Sequence, residues 1–165
     1  MPEATDLLDL RVAQPGDLPF LFDLYCDVRG PEVSAWGWPA IQRDAFLRMQ
    51  FEAQRRGYEA AYPEAIHHIV LCGGEAIGHR LAASTREGMR LVDIALLAAH
   101  RKRGIGSRLI RQLMDDCRGS RSALRLQVLR GNPVQGLYRR LGFTETGADQ
   151  MYIEMAWTPE RGPST

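Results

Sequence analysis

The chain has 165 residues, 45% of them hydrophobic, and a formal net charge of +1, which is enough apolar material for one ordinary core without metal or disulfide staples. Its longest apolar runs, such as 91–99, carry a charge or are too short to span a bilayer, and 1–10 carries acids where a signal peptide needs bases. Membrane-spanning and secreted classes are set aside on these grounds, and a cytoplasmic protein of one domain over 1–157 is the expectation.

In chain order, 8–13 reads as a strand closed by Gln14-Pro15-Gly16, and Asp17 is placed to cap a helix through Leu18, Leu21, Phe22 and Tyr25. Breaks are expected at Gly30-Pro31 and at Gly37-Trp38-Pro39. A second helix over 41–56 follows, with Ala45, Phe46, Met49 and Ala53 on one face. Strands 66–72, 76–84 and 90–97, separated by Gly73-Gly74 and Arg86-Glu87-Gly88, form an antiparallel meander.

Gly104 then opens a helix carrying Ile105, Leu109, Leu113 and Met114 on one side, and the strand 123–129 completes a βαβ unit. A short helix after Asn132-Pro133, a stop at Gly142 and strands near 143–146 and 150–157 close the domain, with 158–165 read as a disordered tail.

Cys26, Cys72 and Cys117 are odd in number and far apart, and His67 and His68 are neighbours in a strand, pointing to opposite faces. No metal is expected. The small net charge hides an asymmetry: 101–140 holds eleven bases against two acids, Asp115 and Asp116, so it carries +9 and the remainder −8. A basic block of this kind suits an anionic partner, either a phosphate-bearing cofactor or nucleic acid, and a solvated surface has the same composition.

The most informative stretch is Arg101-Lys102-Arg103-Gly104-Ile105-Gly106-Ser107, between an apolar strand and an amphipathic helix. Gly104 and Gly106 permit close approach of the backbone, and the first amides of the helix present positive dipole ends to an anion. Lys102, Arg103 and Arg108 add full charges and Ser107 a hydroxyl donor. A loop with two glycines before a helix is also an ordinary tight turn. A dinucleotide fold needs a small residue where Leu109 stands, and a P-loop needs Gly-Lys-Ser after four spacers; neither is met.

These residues resemble the acyl-CoA loop of the GNAT (GCN5-related N-acetyltransferase) superfamily, which reads Arg or Gln, two residues, Gly, one residue, then Gly or Ala; Arg101, Gly104 and Gly106 match. Asn132-Pro133 and 137–143, Leu-Tyr-Arg-Arg-Leu-Gly-Phe, are similar to its second signature. The likeness is specific over 90–157 and extends loosely over 8–157. It implies an α/β (α+β) acyl-CoA N-acyltransferase fold, with a mixed, mostly antiparallel central sheet flanked by helices around a central βαβ unit.

The resemblance further implies that backbone groups near Leu96 and Leu97 pair with the pantetheine arm and thioester carbonyl. Lys102, Arg103, Gly104, Ile105, Gly106 and Ser107 would bind the pyrophosphate, Asn132 would bond the pantetheine or order the second signature, and Tyr138 would protonate the departing thiolate. The phenol is a weaker acid than a thiol, yet its hydroxyl stabilises a nearby thiolate even when the proton is only partly transferred. Two departures stand out: Ala98-Ala99-His100 where the family often has Pro and an acid, and Val134 or Gln135 at a usual small position.

Attack on a thioester needs a neutral amine, hence a base. Asp93, interrupting the apolar strand just before the expected thioester contact, is a candidate, and a structural Asp paired with an arginine is the plainer reading. Glu32, Glu52 and Glu59 remain unranked as attractors of a cationic acceptor, and Trp36, Trp38, Phe46, Phe51, Tyr58 and Tyr62 divide between core and cleft.

The functional expectation is transfer of an acetyl group from acetyl-CoA to a primary amine by direct attack in a ternary complex. A non-catalytic acyl-CoA-binding or sensing module is the alternative. The basic residues are spread over two helices and a strand with no aromatic-rich basic motif, so no nucleic acid is expected as partner. No membrane partner is expected either, and a homodimer paired through the C-terminal sheet stays open.

Overall fold

The structure, a computed structural model, describes residues 7–160. Most of the expected tail, 161–165, lies outside the described residues. Seven strands and four α-helices follow one another as β1 (Leu8–Val12), α1 (Leu18–Ser34), α2 (Ala40–Ala61), β2 (Ile66–Cys72), β3 (Glu75–Thr85), β4 (Gly88–Leu96), α3 (Ile105–Ser120), β5 (Leu124–Leu129), α4 (Val134–Arg140), β6 (Thr144–Ala148) and β7 (Tyr152–Trp157). The sheet is mixed and mostly antiparallel, as the sequence led us to expect. Among the described residues, no helix is long and apolar enough to cross a membrane.

The chain divides into two compact units. The first holds residues up to Leu81 together with Asp93–Ile105. In it β1 runs antiparallel to β2, with Leu10 opposite Val70, and β3 follows β2 across the two-residue Gly73-Gly74 turn. Both glycines adopt left-handed backbone, φ 58° and 85°, which is why the turn can be that short. Leu21 of α1, Phe51 of α2 and Ile69 of β2 form a buried cluster, with Phe22 and Tyr25 packed edge-on or tilted against Phe51.

The second unit holds Ala82–Val92 and the chain from Gly106 onward. Here β5 lies parallel to β4, with Met89 opposite Leu124, and β7 is antiparallel to both β5 and β6. A parallel neighbour requires a crossover, and α3 supplies it. Leu109, Ile110, Leu113, Met114 and Cys117 are buried at helical spacing, and Leu124, Leu126 and Val128 are buried at strand spacing. Gly88 permits the start of β4 to approach Ala123: a Cβ there would stand 2.6 Å from the Ala123 carbonyl oxygen, and φ is 114°.

Two expectations at the first helix are corrected. No break occurs at Gly30-Pro31; α1 continues to Ser34 with Pro31 inside it. Proline removes one amide from the ladder, but the apolar face persists on either side of it through the buried Leu24 and Val33, and Ala35 N–H donates again to the Pro31 carbonyl. Asp17 does precede the helix, yet its carboxylate makes no cap. Pro19 removes one of the two amides a cap would reach, and Asp17 instead accepts from Gln14 N–H and from both terminal nitrogens of Arg11, each at 2.7 Å. Together these hold its carboxyl down at about 2, with the Arg11 hydrogen bond the largest cause.

Candidate active site

In the first unit, β4 ends at Leu96 against β3. Leu97 N–H donates to the Ile77 carbonyl at 2.8 Å, and Gly78 has no side chain, so the backbone of Ala95 and Leu96 can lie directly over it. A short turn at Ala98–His100 follows, and Asp27 of α1 secures it: one carboxylate oxygen accepts from Ala98 N–H and from Arg101, both at 2.9 Å. Arg101 also donates through Nε to the Leu96 carbonyl. Its guanidinium therefore braces the loop from within. The Leu96 carbonyl and the Leu97 amide are both engaged internally, so any pantetheine partner at these positions meets carbonyls with one lone pair remaining.

Past Arg101 the backbone becomes left-handed at Lys102, φ 62°, and at Gly104, φ 78°. For lysine this conformation is costly, of order 1–3 kcal/mol. The space beside Gly104 and Gly106 is open, with nothing within 4 Å of where a Cβ would sit. Lys102, Arg103 and Gly104 are exposed, and Ile105, buried, begins α3. Among the described residues none of Lys102, Arg103 and Arg108 makes an ion pair, so their charge is free for an anion. His100 Nδ1 beside this loop is buried and has no hydrogen-bond partner among the described residues. Open glycine backbone, a helix start and unpaired cations fit a pyrophosphate-bearing ligand.

In the second unit, Asn132 uses its side-chain oxygen on its own turn, accepting from Val134 N–H at 3.0 Å. Tyr138 sits on α4 and is only 7% exposed, its ring centroid 5.8 Å from that of Phe143. Gly142, with φ 104°, ends the helix and turns the chain toward β6.

A cavity of about 560 Å³ opens in the first unit between α1, α2 and the strands β2, β3 and β4. Of the residues singled out as catalytic or cofactor-binding in the sequence, Asp93 alone lines it. Phe51, Tyr58 and Tyr62 line it as well, joined by Tyr25, whose phenol is pushed up chiefly by burial. Trp36, Trp38 and Phe46 do not; they stack edge to face on one another at 5.1 to 5.4 Å. Glu59 lines the cavity and lies 3.7 Å from Arg55, which also binds Glu52; Glu32 pairs with Arg29.

Asp93 differs from these acids. Its partner is His79, with Nε2 3.3 Å from the carboxylate, and no arginine or lysine pairs with it among the described residues. His79 Nδ1 in turn lies 2.8 Å from His67 Nε2. Burial, and then the neighbouring His79, lower the His67 imidazole to about 4. Neither His67 nor His79 stands out in the sequence as a functional group. The signal that was available is that His67, His79 and Asp93 each interrupt an apolar strand, on three strands consecutive in the meander.

Known proteins share this architecture. PaiA N-acetyltransferase from Thermoplasma acidophilum, solved with coenzyme A, superposes with a TM-score of 0.70 at 15% identity, covering 92% of this chain and 99% of that one. An acetyltransferase from Thermus thermophilus gives 0.67 at 18% identity, over 92% and 97%. The histone acetyltransferase HPA2 and related acetyltransferase from Corynebacterium glutamicum gives 0.66 at 19%, over 95% and 99%. At such identities the likeness establishes the fold. No curated protein matches the sequence. Residues 31–143, more than half of the chain and including the loop, Asn132 and Tyr138, match the model of the Acetyltransferase (GNAT) family, and on that match the chain belongs to the GNAT acetyltransferases.

Proposed function

We propose that the protein is an N-acetyltransferase that passes the acetyl group of acetyl-CoA to a primary amine, by direct attack in a ternary complex and within a single catalytic domain. The observation that carries this reading is the loop at 101–107. There a left-handed Gly104 with open space around it leads into α3 beside cations that have no internal partner. Lys102, Arg103 and the amides from Gly104 to Ser107 would hold the pyrophosphate. Arg101 acts by bracing the loop on Asp27. Bound acetyl-CoA supplies an activated acyl carbon. The chain supplies orientation through the end of β4, a hydroxyl at Tyr138 for the leaving thiolate, and a cavity for the acceptor.

That cavity favours a cationic acceptor. Its other acid, Glu59, faces Arg55, whereas Asp93 faces a histidine and keeps more of its charge for the guest. The setting we assign is the cytoplasm, where thiols such as that of Cys26 stay reduced.

Thermal denaturation against a concentration series of acetyl-CoA, with CoA and ATP as controls, tests the assignment. Ligand that binds only the folded state raises the melting temperature. The wild type rises with acetyl-CoA and CoA, and a Gly104→Glu variant, with a bulky anion in the loop, loses the response. A folded wild type that ignores both ligands over the whole series overturns the reading. A Tyr138→Phe variant that binds acetyl-CoA and turns over amines at the parent rate would remove Tyr138 from the chemistry.

A further inference from the structure

Asp93, His79 and His67 stand on β4, β3 and β2 and all line the cavity. They are joined in one chain, carboxylate to His79 Nε2 at 3.3 Å and His79 Nδ1 to His67 Nε2 at 2.8 Å. The Asp93 carboxylate, in ion-pair contact with His79 Nε2, is the basis on which we assign the protons along it. An ionised carboxylate only accepts, so His79 carries its proton on Nε2. Its Nδ1 is then an acceptor, and the proton between the rings belongs to His67 Nε2. That leaves His67 Nδ1 as the open acceptor at the end of the chain. A merely structural trio would be satisfied anywhere in the fold; this one lines the cavity with each of its members.

We propose that this chain is the general base of the acetyl transfer: His67 Nδ1 takes the proton of the acceptor ammonium, and the charge comes to rest on His79, held there by Asp93. The proposal deepens the function proposed above and rests on it. As the ammonium proton bonds to His67 Nδ1, the His67 Nε2 proton passes to His79 Nδ1, so that His67 stays neutral and His79 becomes an imidazolium beside the Asp93 carboxylate. The freed amine lone pair then forms the C–N bond and the C–S bond breaks. The nitrogen's second surplus proton ends on the departing thiolate, and the His79 proton returns to water through the same chain.

The low basicity of His67 agrees with this division of labour. It is unprotonated at neutral pH and able to accept, and the charge does not have to stay on it. The groups around it pull both ways: Asp17 and Asp93 favour its charged form, His68 and His79 oppose it, and Arg29, Arg55, Glu59, Tyr25, Tyr58 and Tyr62 face the same cavity from the helices and the loop after them.

The test combines kinetics with nitrogen-detected NMR of the histidine rings. Kinetics uses acetyl-CoA with spermidine, kanamycin and a lysine peptide as acceptors. His79→Gln is expected to lower kcat at pH 7 by about 100-fold, within the usual range for a lost general base, with KM for acetyl-CoA unchanged. The loss shrinks toward pH 10, where the amine arrives already deprotonated. His67→Ala should lose activity similarly and regain part of it with added imidazole, which a packing defect would not. NMR of the wild type should find both neutral rings protonated at Nε2, and Asp93→Asn should release the His79 tautomer; this readout needs no acceptor.

Transfer by the wild type with a parental pH profile in His79→Gln, or Nδ1 protonation of His79, overturns the relay alone. A wild type that binds no acetyl-CoA and acetylates none of the three amines overturns the acetyltransferase reading, and the relay's part in it as well.

Discussion

The two compact units solve different problems with the same materials. In the second, α3 buries Leu109, Ile110, Leu113 and Met114, and β5 buries Leu124, Leu126 and Val128, a mostly hydrocarbon interior in which Cys117 and Tyr138 are also buried. In the first, the strands β2, β3 and β4 place His67, His79 and Asp93 around a cavity floored by aromatic rings. The contrast teaches where chemistry can be housed. A unit whose core is continuous hydrocarbon draws its stability from burial alone, whereas one that keeps an open, polar cavity must satisfy each buried polar group individually.

That contrast can be broken most forcefully in the dry unit. Leu126→Ala empties a site that is 2% exposed and should cost about 2–5 kcal/mol, read as a shift in the midpoint of chemical denaturation. A cost below about 1 kcal/mol would mean the interior collapses around the gap and is not close-packed.

The polar unit should reveal itself through pH. His67 binds its proton less readily folded, at about 4, than unfolded, near 6.5. Its contribution to stability is therefore fully present above pH 6.5 and is lost as pH falls from there to 4, because the unfolded chain takes up the proton first. Asp17, held at about 2 against 3.8 unfolded, adds a second loss only below about pH 4. A His67→Asn variant should lessen the fall of the melting temperature between pH 6.5 and 4, leaving the part owed to His68, whose imidazole burial also lowers, and keep the fall below it. A slope unchanged by the substitution would assign the upper window to another group.

The smallest effect is expected at Arg90 and Glu154, 3.0 Å apart and partly exposed on β4 and β7, the two strands that flank β5. Glu154→Gln should cost about 0.5–1 kcal/mol, the scale of a solvent-screened pair, and less in high salt. A larger cost would show that this unit also leans on electrostatics.

The same contrast governs what can be read in the sequence. Elements with one strong period are legible almost to the residue: β2 at Ile66–Cys72, α3 from Ile105, β5 to Leu129. The loop at 101–107 and the second signature are legible because they carry residue types at fixed spacing. Helix α1 misleads at Pro31, where local propensity argues for a break and the buried Leu24 and Val33 on either side outweigh it. The histidine chain is not legible, since it exists only once three strands lie side by side; in the sequence His67 and its neighbour His68 point to opposite faces of a strand and suggest no site. Arg101 matches the loop motif, but its bond to Asp27 spans 74 residues and no local pattern announces it.

One further property follows from where the tryptophans fall. Trp36 and Trp38, at 45% and 36% exposure, cluster with Phe46 in the first unit, whereas Trp157, at 9%, lies under Arg118 in the second. Indole emission depends on the polarity around the ring, so the protein carries two optical reporters of different colour, one wet and one dry. Melting followed at the red and blue edges of a single spectrum would therefore time the loss of each unit separately, without a label.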